Sequence, residues 1–320
     1  MYSTIQDIVS AQGNPSKLSI ERMCLLSGVS RAGFYRDWLE QEPDEAEVTI
    51  RDAIQKAALK SRRYGYRRIT AMLKRDGVAV GEGVVRRILR SDNLLAIRMR
   101  KFVATTDSKH GFKVHSNMAQ YVTVEAVNQL WVADITYIRL GREFVYLAVV
   151  LDVFSRKVIG WSLARSMNTV LPLAALNQAI EGRNPGPGMV HHSDKGSQYA
   201  SNEYVSRLES RGIFISMSRP AKPWENGHCE SFMNTLKSEE ISCRQYSTLE
   251  ELRHNIEDFI ERIYNTERLH SALGYLPPEE FEKAIGVSTL ENAGAPIALS
   301  FPRHKEIYLN ADRLRANEER

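Results

Sequence analysis

The feature that most constrains the fold is a change of pattern near residue 125, where helical periodicity gives way to segments rich in β-branched and aromatic residues. Three such segments follow one another at 128–138, 143–154 and 157–164, joined by the short turns R-L-G-R and S-R. Short turns between such segments predict an antiparallel meander. The pattern then alternates: a helix at 170–182, a strand at 189–193, a helix near 200–211, a strand at 213–218, and helices at 228–240 and 248–265. This order predicts an α/β fold with a mixed five-stranded sheet flanked by helices.

The residues before this region have helical patterns. Residues 19–40 read as two short helices around a Gly-Val-Ser turn, with Ser30 as N-cap of the second, which is compatible with a helix-turn-helix. Further helices are predicted at 47–61, 66–76 and 82–92, with Gly77 ending the middle one. The last of them is expected to turn Val84, Val85, Ile88 and Leu89 inward and Arg86, Arg87 and Arg90 outward. The sequence therefore predicts small all-α helix-turn-helix modules ahead of the sheet.

The charge is concentrated in one part of the chain. Residues 60–101 carry thirteen Lys or Arg and three acidic residues, a net charge of +10 in a chain whose total is +4. Such a block indicates a polyanion-binding module, the alternative being a solvated helical face. The arginines expected to contact DNA are Arg62, Arg63, Arg67, Arg68, Arg86, Arg87 and Arg90.

Other sequence features exclude several classes of protein. No apolar run reaches the roughly 18 residues that a membrane span needs. The first residues show no signal-peptide pattern, and none of the three cysteines forms a C-x-x-C pair. We therefore expect no disulfide framework, no Cys/His zinc site and a cytoplasmic location. The fragment G-E-G-V-V-R at 81–86 lacks the third glycine and the preceding strand of a nucleotide-binding loop.

Three carboxylates stand where chemistry is expected. Asp134 interrupts W-V-A-D-I-T-Y-I, a stretch apolar on both faces, where an unpaired carboxylate is costly unless a cation compensates it. Asp194 ends the fourth predicted strand, where ligands collect in α/β sheets. Glu230 lies near the start of a helix for which Asn226 is the predicted N-cap. Each also has a structural explanation by itself: an Asp at a strand end, a turn-forming Asp before glycine, and a solvent-facing helical Glu.

Together, these carboxylates can converge on one edge of the sheet. Hard oxygen ligands of this kind suit Mg²⁺ or Mn²⁺, and two such ions can activate a water or hydroxyl and stabilise a leaving oxygen at phosphorus. His192, beside Asp194, could touch the phosphate or simply be packed in the interior. No Ser–His–Asp set or Walker motif competes for the site.

Four motifs give the chain a family resemblance: W-x-x-D-I-T-Y-I at 131–138, L-D-V-F-S-R-K-V-I-G-W-S at 151–162, H-S-D-K-G-S-Q-Y at 192–199 and E-N-G-H-C-E-S-F-M-N-T-L-K-S-E at 225–239. Asp194 and Glu230 are separated by 35 residues, and Lys237 follows Glu230 by seven. Further matches are Y-N-T-E-R-L-H-S-A-L-G-Y-L-P-P-E-E-F at 264–281 and R-R-Y-G-Y-R-R-I at 62–69. On these residues the chain resembles the OrfB-type transposases of bacterial insertion sequences, whose catalytic core is of the retroviral-integrase, DDE, RNase H-like type.

The resemblance implies metal-dependent cleavage of DNA at terminal inverted repeats, followed by strand transfer into target DNA. It implies that Asp134, Asp194 and Glu230 hold two Mg²⁺ or Mn²⁺ ions and that Lys237 contacts the DNA backbone. Asn226, His192 and His270 are secondary candidates. The implied partners are double-stranded DNA, further copies of the chain on DNA and an OrfA-type protein from an upstream frame, in the bacterial cytoplasm at the nucleoid.

The predicted domains are a helical segment at 1–43, a basic helix-turn-helix domain at 44–100, a linker at 101–122, an RNase H-like core at 123–285 and a tail at 286–320. Two other functions fit the same carboxylates: an RNase H-fold nuclease without strand transfer, and a DNA-binding regulator with an inactive triad.

Overall fold

The computed structural model describes Ile5 and residues 18–38, 45–96, 115–219 and 222–289. Contacts divide the chain into two compact units, an N-terminal unit (1–61 and 73–95) and a sheet unit (62–72 and 96–320). The predicted domain boundaries stay predictions, and most of the predicted tail at 286–320 lies outside the described residues.

The N-terminal unit begins with the short helices α1 (Ile20–Leu26) and α2 (Arg31–Trp38). Ser30 caps the second as predicted, because its hydroxyl accepts a hydrogen bond from the Gly33 N–H at 3.0 Å. The turn between them passes through Gly28 with a φ of +65°, a conformation that glycine adopts readily. The buried side chains of this pair include Met23, Cys24 and Phe34.

Three further helices are α3 (Glu45–Lys60), α4 (Tyr66–Arg75) and α5 (Glu82–Ser91). Gly77 follows α4 with a φ of +82°, as predicted for a glycine that ends a helix. Helix α5 buries Val85, Ile88 and Leu89, which share one face at i, i+3 and i+4.

One prediction for α5 is wrong. Val84 is 37% exposed rather than buried. It lies about 100° around the helix from Val85, off the stripe formed by the buried residues. The predicted outward arginines, Arg86, Arg87 and Arg90, are exposed.

The sheet unit contains five strands: β1 (Leu130–Leu140), β2 (Glu143–Asp152), β3 (Val158–Ala164), β4 (Val190–Ser193) and β5 (Phe214–Met217). Their order is β3-β2-β1-β4-β5. The first three pair antiparallel, while β4 pairs parallel with both β1 and β5. The predicted mixed five-stranded sheet is therefore confirmed.

Helices cover both faces of the sheet. On one face, α6 (Val170–Arg183) and α7 (Asn202–Glu209) pack on alternate residues of β1 such as Trp131 and Ala133. On the other face, α8 (Gly227–Glu239) and α9 (Leu249–Glu257) pack on residues such as Val132 and Ile138. Because successive strand residues point to opposite faces, a strand apolar on both faces is sandwiched between two helical layers.

Helix α6 approaches β3 unusually closely. A Cβ on Gly160 would collide with the backbone oxygen of Ala175 and lie 3.0 Å from the Cβ of Ala179. The glycine therefore sets the distance between this strand and this helix.

The segment predicted as one helix at 248–265 differs from that expectation. Helix α9 ends at Glu257 and continues as a π-helix over Asp258–Glu267. In it, Asn265 is buried and bonds both backbone groups of Val158, accepting from its N–H at 3.1 Å and donating to its C=O at 3.0 Å. This pairing fixes the π-helix against β3. Helix α10 (Pro278–Thr289) follows.

Candidate active site

Asp134 and Asp194 lie where two parallel strands separate. The pairing of β1 with β4 ends at Val132↔His192, although β1 continues to Leu140. Asp134 is the second residue of β1 beyond that pairing, and Asp194 directly follows the last residue of β4. Because both strands run in the same direction, their carboxylates emerge at the same edge of the sheet.

The turn after β4 fixes Asp194. Its Oδ1 accepts a hydrogen bond from the Gly196 N–H at 2.8 Å. A Cβ on Gly196 would lie 3.0 Å from this oxygen and 3.0 Å from Oε1 of Gln198. Gly196 thus leaves room for the carboxylate beside the backbone.

Glu230 comes from a helix that packs on the same strand. Helix α8 is held to the sheet by Cys229, Phe232, Met233 and Leu236, all of which are buried. Glu230 lies on the exposed side of the first turn. A helix that packs on β1 brings its first turn near the point where Asp134 lies.

The charges of the three carboxylates reach one another. Burial, together with the charges of Asp194 and Glu230, raises the pKa of Asp134 to about 7, although the Ile135 N–H and the charge of Lys237 act in the opposite direction. Asp134 is therefore a carboxyl group whose anionic form lacks compensation. Among the described residues, however, no three His, Cys, Asp or Glu side chains already form a group that could hold a metal ion.

Lys237 joins this cluster two turns after Glu230. Burial lowers its pKa, while the charge of Asp134 raises it. Its Nζ lies 5.0 Å from the centre of the Tyr137 ring. Lys237 thus contacts an aromatic ring of β1 and interacts electrostatically with the partly buried carboxylate of Asp134.

Asn226 has a role that the sequence did not reveal. It occupies the predicted N-cap position of α8, but its side chain makes no capping hydrogen bond. Instead, its Nδ2 donates to the backbone oxygen of Ala133 at 2.9 Å. Its Oδ1 is buried and has no hydrogen-bond partner among the described residues. The bond ties the start of the Glu230 helix to the residue before Asp134.

Two more buried groups lie within the field of the two aspartates and were not predicted. Burial, together with the charges of Asp134 and Asp194, raises the pKa of the Tyr199 hydroxyl and of the Cys229 thiol. Both groups therefore stay neutral. The only sign of them in the sequence was their position inside the motifs that carry Asp194 and Glu230.

His192 is packed in the interior. It is fully buried, its Nδ1 lies 2.8 Å from the Ser216 hydroxyl of β5, and burial lowers its pKa to about 4. Ser216 also accepts hydrogen bonds from the N–H groups of Met118 and Ala119. The ring therefore stays neutral and helps to join the chain before β1 to the strand that carries Asp194.

His270 lies in a separate cluster. Burial and the charges of Arg268, Arg68 and Arg156 lower its pKa to about 3. Beside it, Arg268 forms a buried ion pair with Glu239 at 2.7 Å. The structure thus places His270 near the end of α8 rather than with the carboxylates.

The predicted DNA-binding arginines of residues 62–68 fall into two classes. Arg62 and Arg67 are exposed, whereas Arg63 and Arg68 are partly buried. The Arg68 guanidinium lies 5.5 Å from the centre of the Tyr64 ring, and the buried Tyr64 hydroxyl accepts a hydrogen bond from the Leu269 N–H at 3.0 Å. Part of this motif therefore packs into the sheet unit.

Comparisons with known proteins match both halves of the chain. Residues 124–223 match one family model described as an integrase core domain, residues 211–278 match a second with that description, and residues 45–102 match an HTH-like domain. The chain is 35% identical over 266 residues to the "Insertion element IS600 uncharacterized 31 kDa protein" of Shigella sonnei, with 82% of this chain and 97% of that protein covered. It is 34% identical over 284 residues to the "Transposase InsF for insertion sequence IS3A" of Escherichia coli (strain K12), with 86% and 97% covered.

The chain belongs to the insertion-sequence transposase family. The resemblance drawn from the sequence motifs is thereby confirmed, and the integrase-core matches agree with the mixed five-stranded sheet of this transposase-family chain. Its chain is also similar to the catalytic core of HTLV-2 integrase, solved in complex with magnesium, at 18% identity and a TM-score of 0.37, with 48% of this chain and 96% of that chain covered. Within the described ranges, no helix of this family member is both long and apolar enough to cross a membrane.

Proposed function

We propose that this chain is a DDE transposase that cleaves DNA at the ends of its element and joins the freed strand to target DNA. The observation that carries the proposal is the placement of Asp134, whose pKa is raised by burial and by the charge of Asp194 at the point where β1 and β4 separate. Glu230 completes a set of three carboxylates, one from within β1, one directly after β4 and one from the first turn of α8.

The donor set fits divalent cations. Oxygen ligands alone suit Mg²⁺ or Mn²⁺, and a cation beside Asp134 would offset the cost of its buried charge. Asp134, Asp194 and Glu230 would hold the ions, two by analogy with other phosphoryl-transfer sites. When bound, such ions lower the pKa of an attacking water or 3′-hydroxyl and stabilise the leaving oxygen.

The remaining groups of the site hold the carboxylates in place or bind the DNA strand. The Gly196 N–H holds one oxygen of Asp194, and Asn226 holds the start of α8 against β1. Lys237 is placed to bind a phosphate of the DNA strand next to the carboxylates. Residues fixed by backbone hydrogen bonds need little rearrangement when substrate binds.

DNA recognition is assigned to the helical part of the chain. Helix α5 presents Arg86, Arg87 and Arg90 to solvent, and Arg62 and Arg67 are exposed as well. An exposed arginine row on a short helix suits the major groove and its phosphates. We propose that several copies assemble on DNA. The comparisons give no support to the expected OrfA-type partner.

The test is a cleavage and strand-transfer assay on DNA carrying the element's terminal repeats. Asp134→Asn, Asp194→Asn and Glu230→Gln are each expected to abolish Mg²⁺-dependent cleavage while leaving DNA affinity nearly unchanged. Glu250→Gln, an exposed glutamate of α9, is the matched control and should remain active.

The outcomes separate the alternatives. Cleavage without joined product from the wild type would indicate a nuclease. DNA binding without metal-dependent cleavage would indicate a regulator. Full strand transfer by any of the three variants would exclude its residue from the site.

A further inference from the structure

Two exposed aromatic rings stand on the β1–β2 hairpin near the candidate active site. Tyr137 is 37% exposed and Phe144 is 49% exposed. Their ring centres are 5.4 Å apart and their planes are perpendicular. In the pairing of β1 with β2, Phe144 lies opposite Arg139, two residues from Tyr137, so both rings lie on one face of the hairpin.

The hairpin extends past its neighbour in the sheet. The pairing of β1 with β4 ends at Val132, whereas its pairing with β2 continues to Leu140↔Glu143. The ring of Tyr137 therefore stands on a part of β1 that β4 does not cover. Along the strand, Tyr137 is three residues from Asp134, about 10 Å at the usual rise per residue. Because this spacing is odd, the two side chains point to opposite faces of β1, and Lys237 is the group that lies near both.

The charged residues near the ring pair are mostly cations, and the exposed Glu143 of the same hairpin is paired with Arg165 at 3.3 Å. Lys237 places its Nζ 5.0 Å from the centre of the Tyr137 ring and lies in the field of Asp134. Arg139 and Arg142, at the end of the hairpin, are both exposed. An aromatic surface with a basic rim next to a strand-cutting site matches a nucleotide, whose base has an apolar face and whose phosphate is an anion.

We propose that Tyr137 and Phe144 form a stacking platform for one unpaired nucleobase of the DNA strand beside the reacting phosphate. Lys237 binds a phosphate of the same strand. A base can offer its face to an aromatic side chain only after leaving the duplex stack. The platform thus selects a frayed or single-stranded end over a fully paired one.

The stacking platform rests on the proposed function, because that function supplies the DNA strand that the platform would bind. A contact with a second copy of the chain would also cover two exposed rings. The basic rim favours DNA, since two like-charged surfaces of identical copies repel each other.

The experiment compares two synthetic probes bound to the full chain in EDTA: a blunt duplex, and the same duplex with a short single-stranded overhang carrying 2-aminopurine. The wild type should bind the overhang probe more tightly by about 5- to 100-fold, the range of one stacked base, and quench its fluorescence. Tyr137→Ala and Phe144→Ala should each reduce this preference and the quenching, while affinity for the blunt duplex stays unchanged. Tyr137→Phe should retain both.

The control is Phe214→Ala, since Phe214 is an exposed aromatic at the start of β5, the opposite end of the sheet. No preference in the wild type, or an intact preference in both alanine variants, would overturn the platform. The platform would also be overturned if both alanine variants keep the preference but sediment as smaller oligomers than the wild type. That result would assign the rings to a contact between copies. If one alanine variant loses affinity for both probes, the other alanine variant decides. Loss of affinity for both probes in both variants would also overturn the platform. Failure of the proposed function is a separate result: no Mg²⁺-dependent cleavage by the wild type.

Discussion

At the scale of single residues, the surroundings of Asp134 disfavour the charged form of its carboxyl group. Its folded-state pKa of about 7 lies above the ordinary value of 3.8. The folded protein therefore binds this proton more tightly than the unfolded chain does. The resulting stabilisation is complete below about pH 4 and is lost as the pH rises through about 7.

Replacing Asp134 by Asn should therefore stabilise the metal-free protein. We expect Asp134→Asn to raise the free energy of unfolding by about 1–3 kcal/mol near pH 8 in EDTA, because it removes a buried charge. Near pH 4, close to the ordinary pKa of Asp, the same substitution should have little effect. Denaturant unfolding at both pH values measures this, with Glu250→Gln as control. A destabilised variant at about pH 8 would contradict the assigned burial cost.

Metal affinity should depend on the same proton. Because Asp134 must lose its proton to bind a cation, we expect the affinity for Mn²⁺ to fall about tenfold per pH unit below pH 7. Isothermal titration across this range would measure it. In Asp134→Asn the remaining pH dependence should flatten between about pH 5 and 7. An affinity independent of pH in the wild type would exclude Asp134 as a ligand.

Asn226 is expected to position the site rather than to react. Asn226→Ala removes the bond to Ala133 and should lower the cleavage rate by about 10- to 100-fold with nearly unchanged DNA affinity, since a small displacement of α8 misplaces Glu230. Asn255→Ala removes a side chain that also donates to a backbone oxygen, at 2.8 Å, but on an exposed part of the chain. It should stay active. Equal rates for wild type and Asn226→Ala would contradict the positioning role.

At the scale of elements, the periodicity of the sequence was sufficient for the strands. In segments such as 128–138, apolar and polar residues alternate or both faces are apolar. This pattern can be read from the local sequence alone. The π-helix at Asp258–Glu267 was not predictable from local sequence. Its buried Asn265 bonds Val158, which lies more than a hundred positions earlier in the chain. The prediction for Val84 was wrong for a local reason: at about 100° per residue, Val85 lies between Ile88 and Leu89 around the helix, whereas Val84 lies outside that arc.

The close packing of α6 on β3 gives a prediction at this scale. Gly160→Ala places a Cβ against the backbone of Ala175, which a flexible side chain cannot relieve. We expect it to lower the free energy of unfolding by about 1–3 kcal/mol or more. Gly182→Ala, where a Cβ would meet nothing within 4 Å, is the matched control and should be nearly neutral. Urea unfolding of the two variants decides, and equal stabilities would contradict the packing.

At the scale of the whole molecule, the sequence separated basic helical residues from a catalytic sheet, but it could not show which arginines are available. Arg68 and Arg63 belong to the same motif as Arg62 and Arg67, yet they are partly buried in the sheet unit. Likewise, Asp134, Asp194 and Glu230 were predictable from their motifs, whereas Asn226, Tyr199 and Cys229 acquire meaning only from contacts across the fold.

The exposed arginines of α5 should determine the salt dependence of DNA binding. Replacing both Arg86 and Arg87 by Ala should weaken binding and lower the slope of log K against log salt by about two, because each lost phosphate contact lowers it by about one. Lys283→Ala, an exposed cation of α10, is the control and should leave the slope unchanged. Fluorescence anisotropy over a range of salt concentrations gives both values. An unchanged slope for the double variant would remove α5 from the interface.

The measurement that tests the three-carboxylate site most directly is a change of metal preference. Asp194→Cys replaces a hard oxygen ligand by a softer sulfur ligand, which Mn²⁺ accepts more readily than Mg²⁺. If Asp194 binds the metal, this variant should fail to cleave terminal-repeat DNA in Mg²⁺ and should recover cleavage in Mn²⁺, while Asp194→Ala should stay inactive with both. Equal activity of Asp194→Cys in the two metals, or cleavage by Asp194→Ala, would contradict the assignment.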